Sequence, residues 1–392
     1  MKILTVNAGS SSLKFNVIEL PEEKELISGY FQRIGIDGSF YYVKIDGVKT
    51  EHQVELKNHM DAVECLKKEL FDNNIIASLD EIEGVGHRLV HGGDKFKTSV
   101  RITEEVLKEC EQFTDLAPLH NPPMLACVRA FMEAMPNTPM VAVFDTAFHQ
   151  TMDEVQYIYP VPYEWYTEYG VRKYGFHGTS HRFIAKKVAE VTGRDDLKII
   201  SCHLGSGASV CAINAGKSVD TSMGFSPIAG LMMGTRAGDI DESLIPYIVN
   251  KTGKTYDEVF DDLNKRSGFL GVSGVSSDSR DIEDGVKAGN ERCILATNIF
   301  NQRVADYIAM YNNELGGADM IVFTAGLGEN SKDTRIGVVE RIASLGVKID
   351  LEENDMRGKL KKISTEDSKI PVYVIPTNEE LMIALDTYEL VK

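Results

Sequence analysis

Two polar turns in this chain have residues that could hold a phosphate group. The first, residues 7–14, places Asn7, Gly9, three serines and Lys14 between two short apolar runs. Gly9 lets the backbone approach a ligand closely, and the hydroxyls, the turn N–H groups and the Lys14 ammonium are donors for phosphate oxygens. The same stretch is also typical of a serine-rich hairpin turn without a ligand. Both interpretations stay open on this stretch alone.

A second turn, half the chain length further on, repeats the residue pattern of the first turn. Residues 203–211 contain Gly205 and Ser206, which lie 196 positions after Gly9 and Ser10. In both places an apolar run leads into the turn and another leads out, as in a β-hairpin. We therefore expect an internal duplication that gives two related α/β domains, with both turns facing one ligand in the cleft between them.

Common phosphate-binding motifs are incomplete here. Residues 215–218 end like a P-loop, but the first glycine of that motif would fall on Cys211. The glycine pairs in 205–207 and 326–328 lack the third glycine of a dinucleotide-binding turn. The H-R-D loop of protein kinases does not occur in the sequence. These observations favour a grip formed by hairpin turns over either standard loop.

Composition narrows the class of protein. The formal net charge of −17 over 392 residues argues against broad binding to nucleic acid or to an anionic membrane. The six cysteines form no C-x-x-C pair and predict reduced thiols in a cytoplasmic protein. We recognise no signal peptide and no apolar run long enough to span a membrane. His177 and His181 have helical zinc spacing, but Gly178 replaces the glutamate of H-E-x-x-H, which disfavours zinc.

Short strands and helix starts should position the polar residues. Buried strands are expected at 140–144, ending before Asp145, and at 198–202 and 320–324. Helices are expected near 59–71, 180–192, 290–315 and 380–391, whereas 278–281 is expected to be a polar loop and 325–330 a glycine turn. We expect the domain boundary just after Asp145, giving an N-terminal domain of residues 1–147 plus 378–392 and a C-terminal, nucleotide-binding domain of residues 148–377.

Several stretches together resemble the acetokinase family. Residues 3–14 and 199–212 are similar to the two signatures of acetate kinases, and further segments match in order: 86–93, 144–149, 175–181, 233–236 and 377–380. The resemblance implies a duplicated ribonuclease-H-like, actin-like ATPase fold with an interdomain active-site cleft, and usually a homodimer. It implies phosphoryl transfer from ATP to acetate, giving ADP and acetyl phosphate. Alternatives are a propionate or other short-chain carboxylate kinase of the same fold, or a non-catalytic, chaperone-like nucleotide-binding protein.

The resemblance assigns catalytic roles to four residues. Arg88 and Arg236 would clamp carboxylate and phosphoryl oxygens, since the guanidinium offers a planar fork. His177 would donate to the transferring phosphoryl group, although a histidine beside Phe176 is more often a core residue. Asp145 would orient Mg²⁺-bound water or Arg236, with a helix N-cap as the rival interpretation.

The remaining implied residues bind nucleotide, metal and acyl group. ATP or ADP would be held by Ser10, Ser12, Lys14, His203, Leu204, Gly205, Ser206, Gly207, Asp278, Ser279, Arg280, Gly326, Leu327, Gly328, Glu329 and Asn330. Asn7 and Glu379 would neighbour Mg²⁺, or Mn²⁺ in its place, with Glu380 an ordinary first-turn glutamate. The acetate methyl would lie among Val90, Leu119, Phe176 and Pro227.

Two departures from the family pattern concern the nucleotide. Ser206 stands where the second signature commonly has asparagine, which shortens the reach of that side chain. Ser279 stands where a phenylalanine is frequent near the adenine. Both changes leave the expected chemistry in place, and they make nucleotide preference the property most open to variation.

Overall fold

The structure, a computed structural model, describes residues 1–117 and 121–392. It divides into two compact units. Unit 1 comprises residues 1–148 together with 378–392, and unit 2 comprises residues 149–377. The first domain expected from the sequence ends at residue 147, one residue before the first segment of unit 1 ends.

The described residues form mixed α/β structure. The strands are β1 (Lys2–Gly9), β2 (Ser12–Glu19), β3 (Lys24–Gln32), β4 (Phe40–Ile45), β5 (Val48–Gln53), β6 (Ile82–Leu89), β7 (Val100–Arg101), β8 (Met140–Phe144), β9 (Lys198–Leu204), β10 (Ala208–Asn214), β11 (Lys217–Thr221), β12 (Met320–Thr324), β13 (Lys361–Lys362) and β14 (Val372–Val374). The helices are α1 (His59–Asp72), α2 (Glu104–Glu111), α3 (Asn121–Ala134), α4 (Glu154–Tyr157), α5 (Tyr163–Tyr169), α6 (Gly178–Thr192), α7 (Leu244–Thr252), α8 (Tyr256–Lys265), α9 (Gly268–Ser273), α10 (Ser279–Lys287), α11 (Glu291–Glu314), α12 (Ala325–Asn330), α13 (Lys332–Arg341) and α14 (Glu379–Val391).

The sheet of unit 1 has the strand order β5-β4-β3-β2-β1-β6-β8-β7 among the described residues. The pairs from β5 to β1 are antiparallel, whereas β1, β6 and β8 run parallel. Successive side chains of a strand point to opposite faces, so Leu4 joins one apolar core and Ile3 another. Helices α1 and α3 pack together beside the first core, and α14 packs on β1, β6 and β8.

The sheet of unit 2 repeats the central arrangement of unit 1. Its order is β11-β10-β9-β12-β14-β13 in the described residues, with β9 antiparallel to β10 and parallel to β12. In unit 1, β1 is likewise antiparallel to β2 and parallel to β6. Ser12 and Ala208 begin the equivalent strands β2 and β10, 196 positions apart. The topology therefore agrees with the duplication expected from the two turns.

Helices α6, α11 and α12 pack against β9 in unit 2. Asn290 caps α11 by accepting hydrogen bonds from the N–H groups of Arg292 and Cys293. The apolar strands β9 and β12 are buried along most of their length, as expected for strands covered by helices. No described helix has the length and apolar character needed to cross a bilayer.

Two segments expected to be irregular are helical. Residues 278–281 were expected to form a polar loop, but Asp278 caps α10 by accepting from the Arg280 N–H, so the helix begins at Ser279. Residues 325–330 were expected to form a glycine turn, but they form α12, whose first N–H, on Ala325, donates to the Glu329 carboxylate at 2.7 Å. Both expectations were wrong because local capping outweighs the low helix propensity of serine and glycine.

Candidate active site

Unit 1 gathers two other predicted site residues, Asn7 and Asp145, around Arg88 at the end of β6. The Arg88 Nε donates to Asp145 Oδ1 at 3.0 Å, and Nη2 donates to Oδ2 at 2.5 Å. A third donor, Nη1, reaches Asn7 Oδ1 at 3.2 Å. β1, β6 and β8 are adjacent parallel strands, so their carboxyl ends bring residues 7, 88 and 145 together. Burial lowers the pKa of Arg88, but the Asp145 charge and hydrogen bonds raise it more, so Arg88 is a fixed cation.

Glu379 begins α14 near this cluster. Burial raises its pKa from 4.5 to about 7, the positive charge of Arg88 opposes that rise, and the nearby carboxylates of Asp145 and Glu380 add to it. A half-buried carboxylate beside two others is a group that a divalent cation would stabilise. Among the described residues no group of three or more His, Cys, Asp or Glu side chains could hold a metal ion. Mg²⁺ needs few protein oxygens because it keeps several waters.

Lys14 and the turn before it lie in the same unit. Lys14 donates to the carboxylate of Glu380, so Glu380 is more than an ordinary first-turn glutamate. Ser10 is exposed and Ser12 is half-buried at the start of β2. The carbonyl of Gly9 is 2.9 Å from the Nε2 of His59, which begins α1 and ties this helix to the turn.

In unit 2, His177 stands immediately before α6 in the left-handed backbone region, with φ of +56°. A non-glycine residue in this region is uncommon and persists where its surroundings hold it. The His177 ring stacks on that of His203, with centroids 4.2 Å apart, and its Nδ1 is 2.9 Å from Ser209 Oγ. These contacts direct Nε2 toward the turn between β9 and β10.

Gly207, in that turn, lies between His177 and Arg236. A β-carbon on Gly207 would be 3.3 Å from His177 Nε2 and 3.5 Å from Arg236 Nη2, so the glycine keeps this space open. Arg236 Nη1 donates to the Pro227 carbonyl at 2.8 Å. Within residues 1–117 and 121–392 no carboxylate forms a salt bridge with Arg236, and burial lowers its pKa. Its positive charge is therefore available to an anion.

A cavity of about 280 Å³ in unit 2 joins the turn to the start of α10 and α12. Its lining includes much of the predicted nucleotide site, with Gly205, Ser206, Asp278, Ser279, Arg280, Gly326 and Leu327 among the residues at its wall. Gly234 binds the Ser206 carbonyl through its N–H at 3.0 Å, which ties the segment holding Arg236 to the turn. The arrangement can take a ligand with polar groups at the turn and a larger body toward α10.

Other predicted nucleotide residues make structural contacts. The Glu329 carboxylate accepts from the N–H groups of Ala325 and Thr377, and the Asn330 amide donates to the Gly326 carbonyl. Gly328 gives its carbonyl to the buried Arg335. Leu204, the last residue of β9, is fully buried, and His203 is nearly so. The contacts of Glu329, Asn330 and Gly328 hold the shape of α12.

The residues expected around the acetate methyl are divided between the units. Val90 is buried in unit 1, two residues after Arg88. Phe176 and Pro227 belong to unit 2, next to His177 and bonded to Arg236 respectively. Leu119 lies outside the described residues.

Sequence reasoning missed the groups that support these side chains. Ser209 and His181 contact His177 directly or through one hydroxyl, and Arg335 supports α12. The His177 to His181 spacing was a usable signal, because residues four apart share one side of a helix. It was weighed only as a metal motif.

Comparison with known proteins gives one consistent family. The model of the Acetokinase family matches residues 2–385. A relative from Geobacillus sp. (strain WCH70), named acetate kinase, is 52% identical over 391 residues, covering 99% of this chain and 98% of the relative.

Solved structures agree over the full length. The crystal structure of Porphyromonas gingivalis acetate kinase matches with a TM-score of 0.96 at 44% identity, covering 100% of both chains. A propionate kinase from Francisella tularensis matches with a TM-score of 0.95 at 39% identity, covering 99% of both chains.

Proposed function

The chain belongs to the acetokinase family, and from this we propose that it transfers a phosphoryl group reversibly from ATP to acetate. The products are ADP and acetyl phosphate. Full-length membership carries this proposal, supported by His177 and Arg236, which both face Gly207 in the repeated turn.

The chemistry needs cations more than a base. Acetate is ionised at neutral pH, since carboxyl pKa values lie near ~4, so no group has to remove a proton. An acetate oxygen bonds to the γ-phosphorus while the bond to the ADP oxygen breaks. Arg236 and Arg88 reduce the electrostatic repulsion between acetate and the ATP phosphates. His177 donates a hydrogen bond to the phosphoryl group as it is transferred. Asp145 holds Arg88 in place through two hydrogen bonds.

Propionate is the second candidate substrate, because the chain resembles the Francisella propionate kinase as well. One additional methylene changes binding in an apolar pocket by only ~1–3 kcal/mol. Val90, Leu119, Phe176 and Pro227 would form that pocket and favour small acyl groups. We expect propionate to be a poorer substrate than acetate.

The nucleotide occupies the 280 Å³ cavity in this proposal, with its phosphates toward Gly205, Ser206 and Gly207. Ser10, Ser12, Lys14 and His203 complete the phosphate contacts. Asp278, Ser279 and Arg280 hold the nucleoside at the start of α10. A small serine at position 279 leaves room near the base, so GTP should be tested beside ATP.

Mg²⁺ would be held by Glu379 and Asn7, with Mn²⁺ as a substitute. The raised pKa of Glu379 and the acidic neighbours support a cation there. The ion supplies charge compensation for the phosphates. Glu379→Gln should raise the Mg²⁺ concentration needed for half-maximal activity at least tenfold. Glu389→Gln, an exposed change on the same helix, is the control, and equal Mg²⁺ dependence of both variants would remove Glu379 from the site.

A homodimer is supported by an exposed apolar surface on α7 and α8, which pack on each other. α7 has no buried residue among its described ones, and Tyr247 and Phe260 are 57% and 52% exposed. Exposed apolar surfaces of this kind mark protein interfaces. Sedimentation should give a dimer that Tyr247→Glu dissociates and Val48→Glu, in unit 1, does not. A monomeric wild-type protein would contradict the proposal.

We place the protein in the cytoplasm. Its six cysteines all lie in the described residues and are free thiols, as in a reducing compartment. ATP as co-substrate fits the same compartment. Fractionation of the source cells should recover the activity with cytoplasmic markers.

The deciding experiment traps acyl phosphate with hydroxylamine. Purified protein, Mg²⁺ and ATP are incubated with acetate, propionate or butyrate, and ADP release is measured in parallel. We expect hydroxamate in the order acetate, then propionate, then butyrate, with ADP in equal amounts. No hydroxamate with any acid would overturn the proposed function.

A further inference from the structure

A chain of hydrogen bonds runs from His177 into the buried core of unit 2. His177 Nδ1 is 2.9 Å from Ser209 Oγ, which is also 2.8 Å from His181 Nε2. His181 Nδ1 is in turn 2.9 Å from Ser201 Oγ. We call His177, Ser209, His181 and Ser201 the serine–histidine relay.

Regular structure fixes every member of the relay. His181 lies one helical turn after His177, and its N–H donates to the His177 carbonyl at 3.0 Å. Ser201 and Ser209 stand on the paired strands β9 and β10. Ser201, Ser209 and His181 are each 0% exposed, so their hydrogen bonds are made within the protein.

The number of hydrogens limits how the relay can be arranged. Ser209 has one hydroxyl hydrogen and two ring nitrogens within reach, so it donates to one histidine and accepts from the other. His181 is neutral, since burial first and then His149 and His203 lower its pKa well below the ordinary value. A neutral imidazole carries one N–H, and the two tautomers of His181 therefore give two directions for the whole relay.

In the first direction every hydrogen points toward His177. Ser201 donates to His181 Nδ1, His181 Nε2–H donates to Ser209, and Ser209 donates to His177 Nδ1. Neutral His177 then carries its hydrogen on Nε2. In the opposite direction His177 donates from Nδ1, and Nε2 of the neutral ring has a lone pair.

The surroundings of His177 Nε2 select between these directions. This atom faces Gly207 next to Arg236 Nη2, where the proposed function brings phosphoryl oxygens. A lone pair there would repel an anion, whereas an N–H donates to it. We propose that the serine–histidine relay holds His177 in the tautomer with hydrogen on Nε2, which makes Ser209 and His181 positioning residues for phosphoryl transfer. The inference rests on the proposed role of His177 as donor.

The first test observes the tautomer directly. Long-range ¹H–¹⁵N spectra of protein labelled at histidine show which ring nitrogen carries hydrogen, and His177→Gln assigns the signal. We expect hydrogen on Nε2 in the wild type and a mixture of tautomers in Ser209→Ala. Hydrogen on Nδ1 of wild-type His177 would overturn the relay, and this result needs only the wild-type spectrum and the variant that assigns it.

The second test separates catalysis from binding. Ser209→Ala should lower kcat by roughly 10²-fold, the effect of losing one donor to the developing charge, with KM for acetate and ATP within about twofold. Ser209→Thr keeps the hydroxyl and should restore most of kcat. Ser222→Ala is the matched control, because Ser222 is also buried, at 5% exposure, and in the described residues its hydroxyl accepts from the Val210 N–H and contacts no histidine. Equal kcat in Ser209→Ala and Ser222→Ala would refute the inference.

Failure of the proposed function would look different. If His177→Ala still formed acyl phosphate at the wild-type rate, His177 would not be the donor, although the observed tautomer would remain valid. If the wild type were active with hydrogen on Nδ1 of His177, the proposed direction of the relay would be refuted and the proposed enzyme activity would not.

Discussion

The guanidinium groups of Arg88 and Arg236 lie in different surroundings. Arg88 is neutralised by Asp145 through two hydrogen bonds and is further held by Asn7. Arg236 is bonded to a carbonyl and a thioether, which leave its charge uncompensated. An arriving anion therefore gains more from Arg236 than from the paired Arg88.

Replacing Arg236 should abolish most catalysis without unfolding the protein. We expect Arg236→Ala to lower kcat by roughly 10²–10³-fold, because one donor to the transition-state charge is lost. Arg236 and Pro227 are both half-buried, so water can replace the hydrogen bond that is lost, and the thermal unfolding temperature should change little. Turnover from the hydroxamate assay and unfolding by circular dichroism check both parts.

The control for Arg236 is Arg266→Ala, whose side chain is 72% exposed. It removes the same charge from the same unit and should leave kcat unchanged. If Arg236→Ala and Arg266→Ala had equal turnover, the net charge of unit 2 would explain the result and Arg236 would have no part in the clamp.

Strands were predicted from the sequence more accurately than the starts of helices. The strands around both turns were predictable, because their apolar alternation is local. The starts of α10 and α12 were not, since Asp278 and Glu329 cap through contacts that composition does not reveal. The pairing of Arg88 with Asp145 joins residues 57 positions apart, so it required the fold.

The cap of α10 should matter for ATP. Asp278 accepts from the Arg280 N–H and binds its guanidinium, which lowers the pKa of Asp278 to about 2. Asp278→Ala should cost ~1 kcal/mol of stability and raise KM for ATP severalfold. Thr255→Ala removes the cap of α8 and should cost similar stability at unchanged KM. A higher KM in both variants would indicate general loosening.

Arg335 supports α12 from within the core. It is fully buried, burial lowers its pKa to about 10, and it donates to the carbonyls of Gly328, Asn354 and Met356. Arg335→Met should cost several kcal/mol, since each acceptor left unpaired costs ~1–3 kcal/mol. KM for ATP should rise as α12 shifts. Urea unfolding and ATP titration measure both, and an unchanged urea midpoint would contradict this account.

Both units share a weakness toward acid. Burial lowers the pKa of His87 to about 3 and those of His91 and His149 to about 4. The unfolded chain takes up protons near pH 6.5, whereas the folded chain does not, so stability is lost as the pH falls from 6.5 to 4. Above pH 6.5 these histidines have no effect. Each can cost up to about 3 kcal/mol at the acid end.

Thermal unfolding at fixed ionic strength from pH 7.5 to 4.5 should show this loss. His87→Leu should reduce the slope below pH 6.5, because it removes a buried imidazole that takes up a proton only when the chain unfolds. A flat profile in the wild type would refute the argument.

The return of α14 to unit 1 has a consequence for synthesis. Ile383 and Ala384 complete apolar clusters with Val141, Val143 and Ile3, and Glu379 begins the same helix. A ribosome makes β1, β6 and β8 long before it reaches residue 379, so one apolar face of that sheet must wait, uncovered, while all of unit 2 is translated. Unit 2 can fold on the ribosome, but unit 1 is completed only after it. A nascent chain that stops short of Asn378 would lack Glu379 and would expose an apolar sheet face to chaperones.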